Sequence, residues 1–234
     1  MKIALIGYGK MGKTIEKIAQ ERGHTITHRI SDDIANHDLK TTDIAIDFSI
    51  PDAAFRNITS CFQQGVPVIS GTTGWLKKYE EAVRVCNENN SGFIYASNFS
   101  LGVNLFFELN KNLAKMMSGF KDYSVSMEEV HHTQKLDAPS GTAITLAEQI
   151  IANNNKKGWK LDTAGEDEIP ITAKRIENVP GTHTISYESK VDTIKIEHIA
   201  HSREGFALGA VIASEWLNGK QGVFTMKDVL FQNM

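Results

Sequence analysis

The sequence predicts an α/β protein: a doubly wound parallel sheet, then a second α+β domain carrying a mixed sheet. Three observations carry that prediction. Short apolar runs alternate with amphipathic helical patterns through the first hundred residues, as βαβ units do. A glycine-rich turn, Gly7-Tyr8-Gly9-Lys10-Met11-Gly12, joins the first apolar run to the first helical pattern. After Gly102 the rhythm changes to one long apolar helix followed by several strand-like stretches.

Composition narrows the field. The chain has 234 residues, enough for one large domain or two small ones. At 41% hydrophobic and 23% charged it reads as an ordinary soluble protein, and its net charge of -3 argues against a general nucleic-acid binder. No apolar run nears the roughly 18 residues of a membrane span. The first apolar run stops at Gly7 with no cleavage pattern behind it, so no leader is expected. Cys61 and Cys86 are separated and fall in helix-like runs, the pattern of buried, reduced thiols. A cytoplasmic protein with no nucleic-acid or membrane partner is expected.

The elements follow in order. Lys2–Ile6 reads as a buried strand, and Met11, Ile15, Ile18 and Ala19 line one face of the helix after the turn. This is the Rossmann fingerprint in its strand–turn–helix context. Gly7 permits the tight turn, Gly9 lets a pyrophosphate approach the backbone, and Gly12 lets helix and strand pack closely. Lys10 and Met11 lie in the same turn. A second strand over 24–30 ends in His28-Arg29-Ile30-Ser31-Asp32. Ser31 or Asp32 could hold an adenosine-ribose 2′-hydroxyl, and Arg29 could meet a 2′-phosphate, so both NADH and NADPH stay open. Further strands over 43–48, 65–70 and 92–96 alternate with helices over roughly 51–63 and 75–90. Phe48, then Gly71-Thr72-Thr73-Gly74, then Ser97-Asn98-Phe99, lie at the carboxyl ends of those strands, where open α/β sheets bind ligands.

The second half reads differently. Residues 103–117 form an apolar helix whose Leu105, Phe106, Leu109, Leu113 and Met116 are expected in the core. Residues 123–130 alternate as a strand with one buried face and deliver His131 and His132 at its end. A helix over 142–153 precedes a polar surface loop over 153–170. Strands are expected over 171–177, 182–188 and 193–200, then a final helix over 206–217. The flank Ser202-Arg203-Glu204-Gly205 reads as a return crossing. The expected division is 1–102 plus 205–234 as the dinucleotide-binding domain, and 103–204 as the substrate domain.

The chemistry concentrates in residues 128–143. Histidine exchanges protons near neutral pH, and a partly desolvated lysine does so too. Adjacent side chains at a strand end point to opposite sides, so His131 and His132 should do different jobs. Pro139 and Ser140 open a helix whose first amides, at Gly141 and Thr142, together with the Thr142 hydroxyl, suit a carboxylate. Lys135 adds positive charge. These features point to an anionic small molecule that is protonated while it is reduced. A metal site at the two histidines lacks an evident third ligand at suitable spacing, and none is expected. Asp137 is read as fixing the turn.

At these residues the sequence resembles the dihydrodipicolinate reductase (4-hydroxy-tetrahydrodipicolinate reductase) family. The family pattern E-x-H-H-x-x-K-x-D-A-P-S-G-T-A is met from Glu129 to Ala143. The glycine turn, Asp47-Phe48-Ser49, Gly71–Gly74, Ser97–Ser100 and the segment from His198 to Ala210 also fit. The resemblance implies hydride transfer from NADPH or NADH to a cyclic imine dicarboxylate in lysine and diaminopimelate biosynthesis. It further implies His131 as proton donor/acceptor and Lys135 as proton donor. His132, Gly141 and Thr142 would bind a substrate carboxylate, with Arg203 or Lys135 among the groups open to hold the second. A homotetramer built through the C-terminal sheet is implied as well. Two departures stand out. The usual acidic residue after the second strand aligns near Ser31, and the chain is shorter than many members between the catalytic helix and the following strands. The competing readings are another NAD(P)-dependent amino- or imino-acid dehydrogenase, and a non-catalytic dinucleotide-binding module.

Overall fold

A computed structural model describes residues 1–231. The chain divides into two compact units. The first is Met1–Leu101 with the stretch from Glu204 onward, and the second is Gly102–Arg203.

The first unit is built on a six-stranded, all-parallel sheet. Its strands are β1 (Lys2–Ile6), β2 (Thr25–Ile30), β3 (Ile44–Asp47), β4 (Val68–Ser70), β5 (Gly92–Tyr95) and a late strand, Gly222–Phe224, in the order late strand-β5-β4-β3-β1-β2. Both faces of β1 and β3 are buried, as parallel strands require, so Ile3, Ala4, Leu5, Ile44, Ala45 and Ile46 are all inaccessible. Helix α1 (Lys10–Glu21) contributes Ile15, Ile18 and Ala19 to the core on one face of the sheet. Helix α2 (Pro51–Gln63) and helix α3 (Tyr79–Glu88) cover the other with Ala54, Ile58, Phe62, Ala82 and Cys86. Cys61 and Cys86 are buried and unpaired, and burial raises both thiols above their ordinary range.

The second unit carries helix α4 (Leu101–Met117), strand β6 (Ser124–His131) and helix α5 (Gly141–Ile151). Then come β7 (Gly158–Leu161), β8 (Glu168–Arg175), β9 (Gly181–Glu188) and β10 (Thr193–Ala200). The sheet order is β10-β9-β6-β8-β7, with β10, β9 and β6 antiparallel and β6, β8 and β7 parallel. It is a mixed sheet. Strand β6 alternates strictly: Val125, Met127, Glu129 and His131 are buried, while Ser124 and Ser126 are exposed. Leu146, Ala147 and Ile150 of α5 pack on that buried face.

The chain then returns to the first unit as helix α6 (Glu204–Leu217), the late strand β11 (Gly222–Phe224) and helix α7 (Met226–Leu230). Ala207, Ala210, Val211 and Leu217 of α6 join the core beside α1. Glu215 clamps the α1–β2 turn, accepting from Arg22 Nε at 2.8 Å and Nη2 at 2.7 Å and lying 2.8 Å from His24 Nε2.

Two expectations fail. The polar stretch over 153–170, read as loop, contains β7 as an edge strand. Only Trp159 and Leu161 give it apolar character, too short a run to stand out from its flanks. The apolar stripe of α4 is not all core. Phe106 and Leu113 are buried, but Leu105, Leu109 and Met116 are 53%, 51% and 63% exposed. A helix that is apolar on more than one face does not reveal from sequence which face is covered. The short β11 and α7 were not anticipated.

Gly209 fixes how closely α6 approaches the loop that follows β5. A Cβ there would lie 1.7 Å from the Phe99 carbonyl oxygen. Gly209→Ala should therefore destabilise the protein by about 1–3 kcal/mol, the cost of overpacking against backbone. A thermal melt checks this, and an unchanged midpoint contradicts the packing argument.

Candidate active site

In the first unit the glycine turn does three separable things. Gly7 has φ +87, and a Cβ on it would meet the Phe48 carbonyl oxygen at 2.1 Å. Gly12 would press its Cβ to 2.5 Å from the Gly7 carbonyl oxygen, so it sets the helix–strand approach. Gly9, the N-cap of α1, has open space where its Cβ would be, which is what a pyrophosphate needs. Beside the turn lies a cavity of about 480 Å³ lined by Gly7, Tyr8, Gly9, Ser31, Asp32, Phe48, Ser49 and Asn57. Lys10 is exposed and Met11 half-buried at the start of α1.

The end of β2 separates the two groups that left the cofactor open. Arg29 does not stand free. Its guanidinium donates from Nε to both Glu16 oxygens at 3.1 Å, pairs through Nη2 with Glu16, and sits 5.9 Å from the Tyr8 ring centroid. Asp32 lines the cavity with its side chain 60% exposed, 2.8 Å from His37 Nε2, a contact that lowers its carboxyl below the ordinary value.

The neighbouring strand ends form a hydroxyl-rich shelf. Asp47 is fully buried, and burial raises its carboxyl despite hydroxyl donors from Ser70 at 2.9 Å and Thr72 at 2.8 Å. Thr72 Oγ1 also accepts the Ser49 amide at 2.8 Å. Thr72 is thus spent on the fold. Gly71 lies against the Phe48 ring, which a Cβ would meet at 2.3 Å. Phe99 is 1% exposed and tilts against Phe48, so only its backbone could meet a ligand. Thr73 and Ser97 are exposed, and Asn98 is half-buried, accepting the Ser100 amide at 2.8 Å.

In the second unit the two histidines part company. His131 is 8% exposed and faces the α5 side of the sheet. His132 lines an open cavity of about 300 Å³ with Thr133, Gln134, Asn178 and Arg203. Lys135 holds Asp137 in a two-pronged ion pair at 2.8 and 2.9 Å, which lowers the Asp137 carboxyl. Ser140 is the N-cap of α5, its hydroxyl accepting the Ala143 amide at 3.2 Å. Gly141 and Thr142 open that helix, Gly141 exposed and Thr142 half-buried.

Three residues given no role by the sequence join this site. Glu129, fully buried, accepts the Ser140 amide at 2.9 Å and Arg175 Nη2 at 3.3 Å. Arg175 also donates to the carbonyls of Lys135 at 3.3 Å and Asp137 at 2.7 Å. His183 is opposite Glu129 across β9, with Nε2 3.1 Å from Ser140 Oγ. Period-2 counting along β6 would have placed Glu129 on the face of His131. Arg175 and His183 become neighbours only through the sheet register, which no short motif reveals. Glu129, His131 and His183 bring ligand-type atoms within 4.8 Å of one another. His183 is thus a third ligand-type residue that spacing in the sequence did not reveal, and Arg175 Nη2 faces the same carboxylate at 3.3 Å. Burial lowers His131, against the pull of Glu129, and drives His183 down to about 4.

Comparison with known proteins matches this architecture. A family model described as dihydrodipicolinate reductase, C-terminus, matches residues 102–230, and one described as dihydrodipicolinate reductase, N-terminus, matches residues 24–99. The chain belongs to the dihydrodipicolinate reductase family. It is 64% identical over 233 residues to 4-hydroxy-tetrahydrodipicolinate reductase from Christiangramia forsetii, covering 98% of both chains. The fold resembles dipicolinate-bound dihydrodipicolinate reductase from Paenisporosarcina sp. TG-14, with TM-score 0.79, 22% identity and 99% of each chain covered. It also resembles aspartate dehydrogenase from Thermotoga maritima at TM-score 0.50 and 15% identity, covering 96% of this chain and 99% of that one. Among the described residues no helix is long and apolar enough to cross a membrane.

Proposed function

We propose that this chain reduces the cyclic imine dicarboxylate 4-hydroxy-tetrahydrodipicolinate to tetrahydrodipicolinate with hydride from NAD(P)H. The observation that carries the reading is the complete run from Glu129 to Ala143, folded as a strand end, a loop and a capped helix start, in a chain of this family. The relative that binds dipicolinate supports a planar dicarboxylate ligand of the same shape.

In this reading the first unit binds the cofactor. The phosphates take the Gly9 opening and the α1 N-terminus, with Lys10 and Met11 beside them. Nicotinamide and its ribose meet Phe48, Gly71, Thr73, Ser97, Asn98 and the backbone of Thr72 and Phe99. The second unit binds the substrate. His132, the Gly141 amide and Thr142 take one carboxylate. Arg203, on the wall of the cavity that His132 lines, takes the other. Hydride arriving on the ring leaves an electron-rich carbon, which is protonated by His131 or Lys135. For Lys135 to do so it must leave Asp137, an exchange an arriving carboxylate would promote. The reading extends to a cytoplasmic homotetramer. Support comes from the sheet face away from α5, where Thr182, Ser186, Lys195 and Glu197 form a mixed polar surface along β9 and β10.

An aspartate-dehydrogenase-like activity is the second reading, since that fold is similar. The His-His-x-x-Lys run and the Ser140-Gly141-Thr142 anion site weigh against it.

Two outcomes are expected. His131→Ala and Lys135→Ala should each lower turnover about 10²-fold or more in an assay that follows nicotinamide oxidation with freshly made imine. Oxidation of neither NADH nor NADPH by the unaltered protein would reject the activity. NADH should be preferred over NADPH by about tenfold in kcat/KM, because Asp32 offers a charged acceptor to a 2′-hydroxyl while Arg29 is held by Glu16. Asp32→Ala should erase that preference, and a retained preference would move the selection elsewhere.

A further inference from the structure

We propose that Glu129, enclosed by His131, His183 and Arg175, is the positioning residue that keeps the cluster's proton on His131 and docks the Lys135–Ser140 loop through Arg175. This rests on reading His131 as the proton carrier. The geometry is specific. Glu129 Oε2 lies 3.7 Å from His131 Nδ1 and 3.8 Å from His183 Nε2, while accepting the Ser140 amide. Its other oxygen faces Arg175. His131 Nδ1 is buried and has no hydrogen-bond partner, and 3.7 Å is too long for one. Such contacts tighten when a substrate fills the site. A proton on Nδ1 directed at Glu129 leaves Nε2 as the nitrogen that exchanges with substrate. Nε2 lies at the Gly181 face of β9, where a Cβ would come within 3.2 Å of it, so glycine keeps that edge clear.

The charges around His131 decide which imidazole is protonated. Glu129 on its own strand and Asp137 on the loop favour the imidazolium, while Lys135 on the loop and Arg175 on β8 oppose it. His183 on β9 also faces the cluster, and His198 on β10 lies behind it. Burial drives His183 to about 4, so at neutral pH it is uncharged and does not compete for the proton. Its Nε2 instead meets Ser140 Oγ, which caps α5. One carboxylate thereby serves the proton carrier and, through the Ser140 amide and Arg175, the helix start that receives the substrate.

The charged form of His131 is disfavoured by burial and favoured by Glu129. Glu129→Gln removes the favourable charge at constant shape, so the His131 titration moves down, by roughly one pH unit. Arg175→Gln removes an opposing charge, so it moves up. Histidine NMR titration of the whole protein reads both without requiring turnover, which separates this proposal from the proposed activity. In kinetics, Glu129→Gln should lower kcat/KM for the imine about 10–100-fold and shift its alkaline limb to lower pH, with the KM for NADH unchanged. Glu129→Asp, which retains the charge, should restore the limb. Opposite movements in Glu129→Gln and Arg175→Gln support the proposal. A His131 titration that stays in place in Glu129→Gln, with only the melting temperature lowered, overturns it. If Glu129→Gln does not fold, a downward or absent movement in Arg175→Gln overturns it equally.

Discussion

A carboxylate with no solvent exposure sits at the centre of the second unit. Taking a charge out of water costs several kcal/mol unless it is paired and hydrogen-bonded, and removing one partner of a buried pair costs about 3–5 kcal/mol. Glu129 meets that demand with Arg175 and the Ser140 amide. Arg175 in turn must satisfy its remaining donors, and does so on the carbonyls of Lys135 and Asp137. The loop from His132 to Ser140 has no regular structure of its own to hold it. Its shape follows from where those donors and acceptors are. The apolar lower half of β6, Val125 and Met127, supplies the packing with α5 that makes the burial possible.

The first unit applies a similar device. Asp47 ends β3 fully buried and gathers the hydroxyls of Ser70 and Thr72, and Thr72 then holds the Ser49 amide. Together with Gly7 and Gly12, whose missing side chains set two close backbone approaches, this fixes the loops at the carboxyl end of the sheet. In each unit, therefore, a buried acidic residue near a strand end shapes the adjoining loops through its hydrogen bonds, while Gly9 and Gly141 stay exposed.

How much of this could be read beforehand varies with the kind of signal. The glycine turn, the alternation of strands and helices, and the change of rhythm after Gly102 are local patterns, and each has its counterpart in the two sheets. The opposite directions of His131 and His132 followed from strand period alone. Ser140 as a helix cap followed from residue type. What the sequence did not reveal is long-range. Arg175 reaches Glu129 because β8 runs parallel to β6, and His183 because β9 runs antiparallel to it. The helix α4 was misjudged for a different reason: an apolar residue is consistent with core or with surface, and only the packing of the sheet decides. Whether Arg29 stands free was not legible either, because it depends on Glu16, thirteen residues away on another element.

The Glu129 charge is proposed to hold the loop over 135–140 in place, through Arg175 and the Ser140 amide. Hydrogen–deuterium exchange, compared between the unaltered protein and Glu129→Gln, tests it most directly. Faster exchange is expected at residues 135–143, including the Ser140 amide, with β9, β10 and the parallel sheet unchanged. Protection of that loop unaltered by the substitution, or a loss spread evenly over the whole second unit, would contradict it.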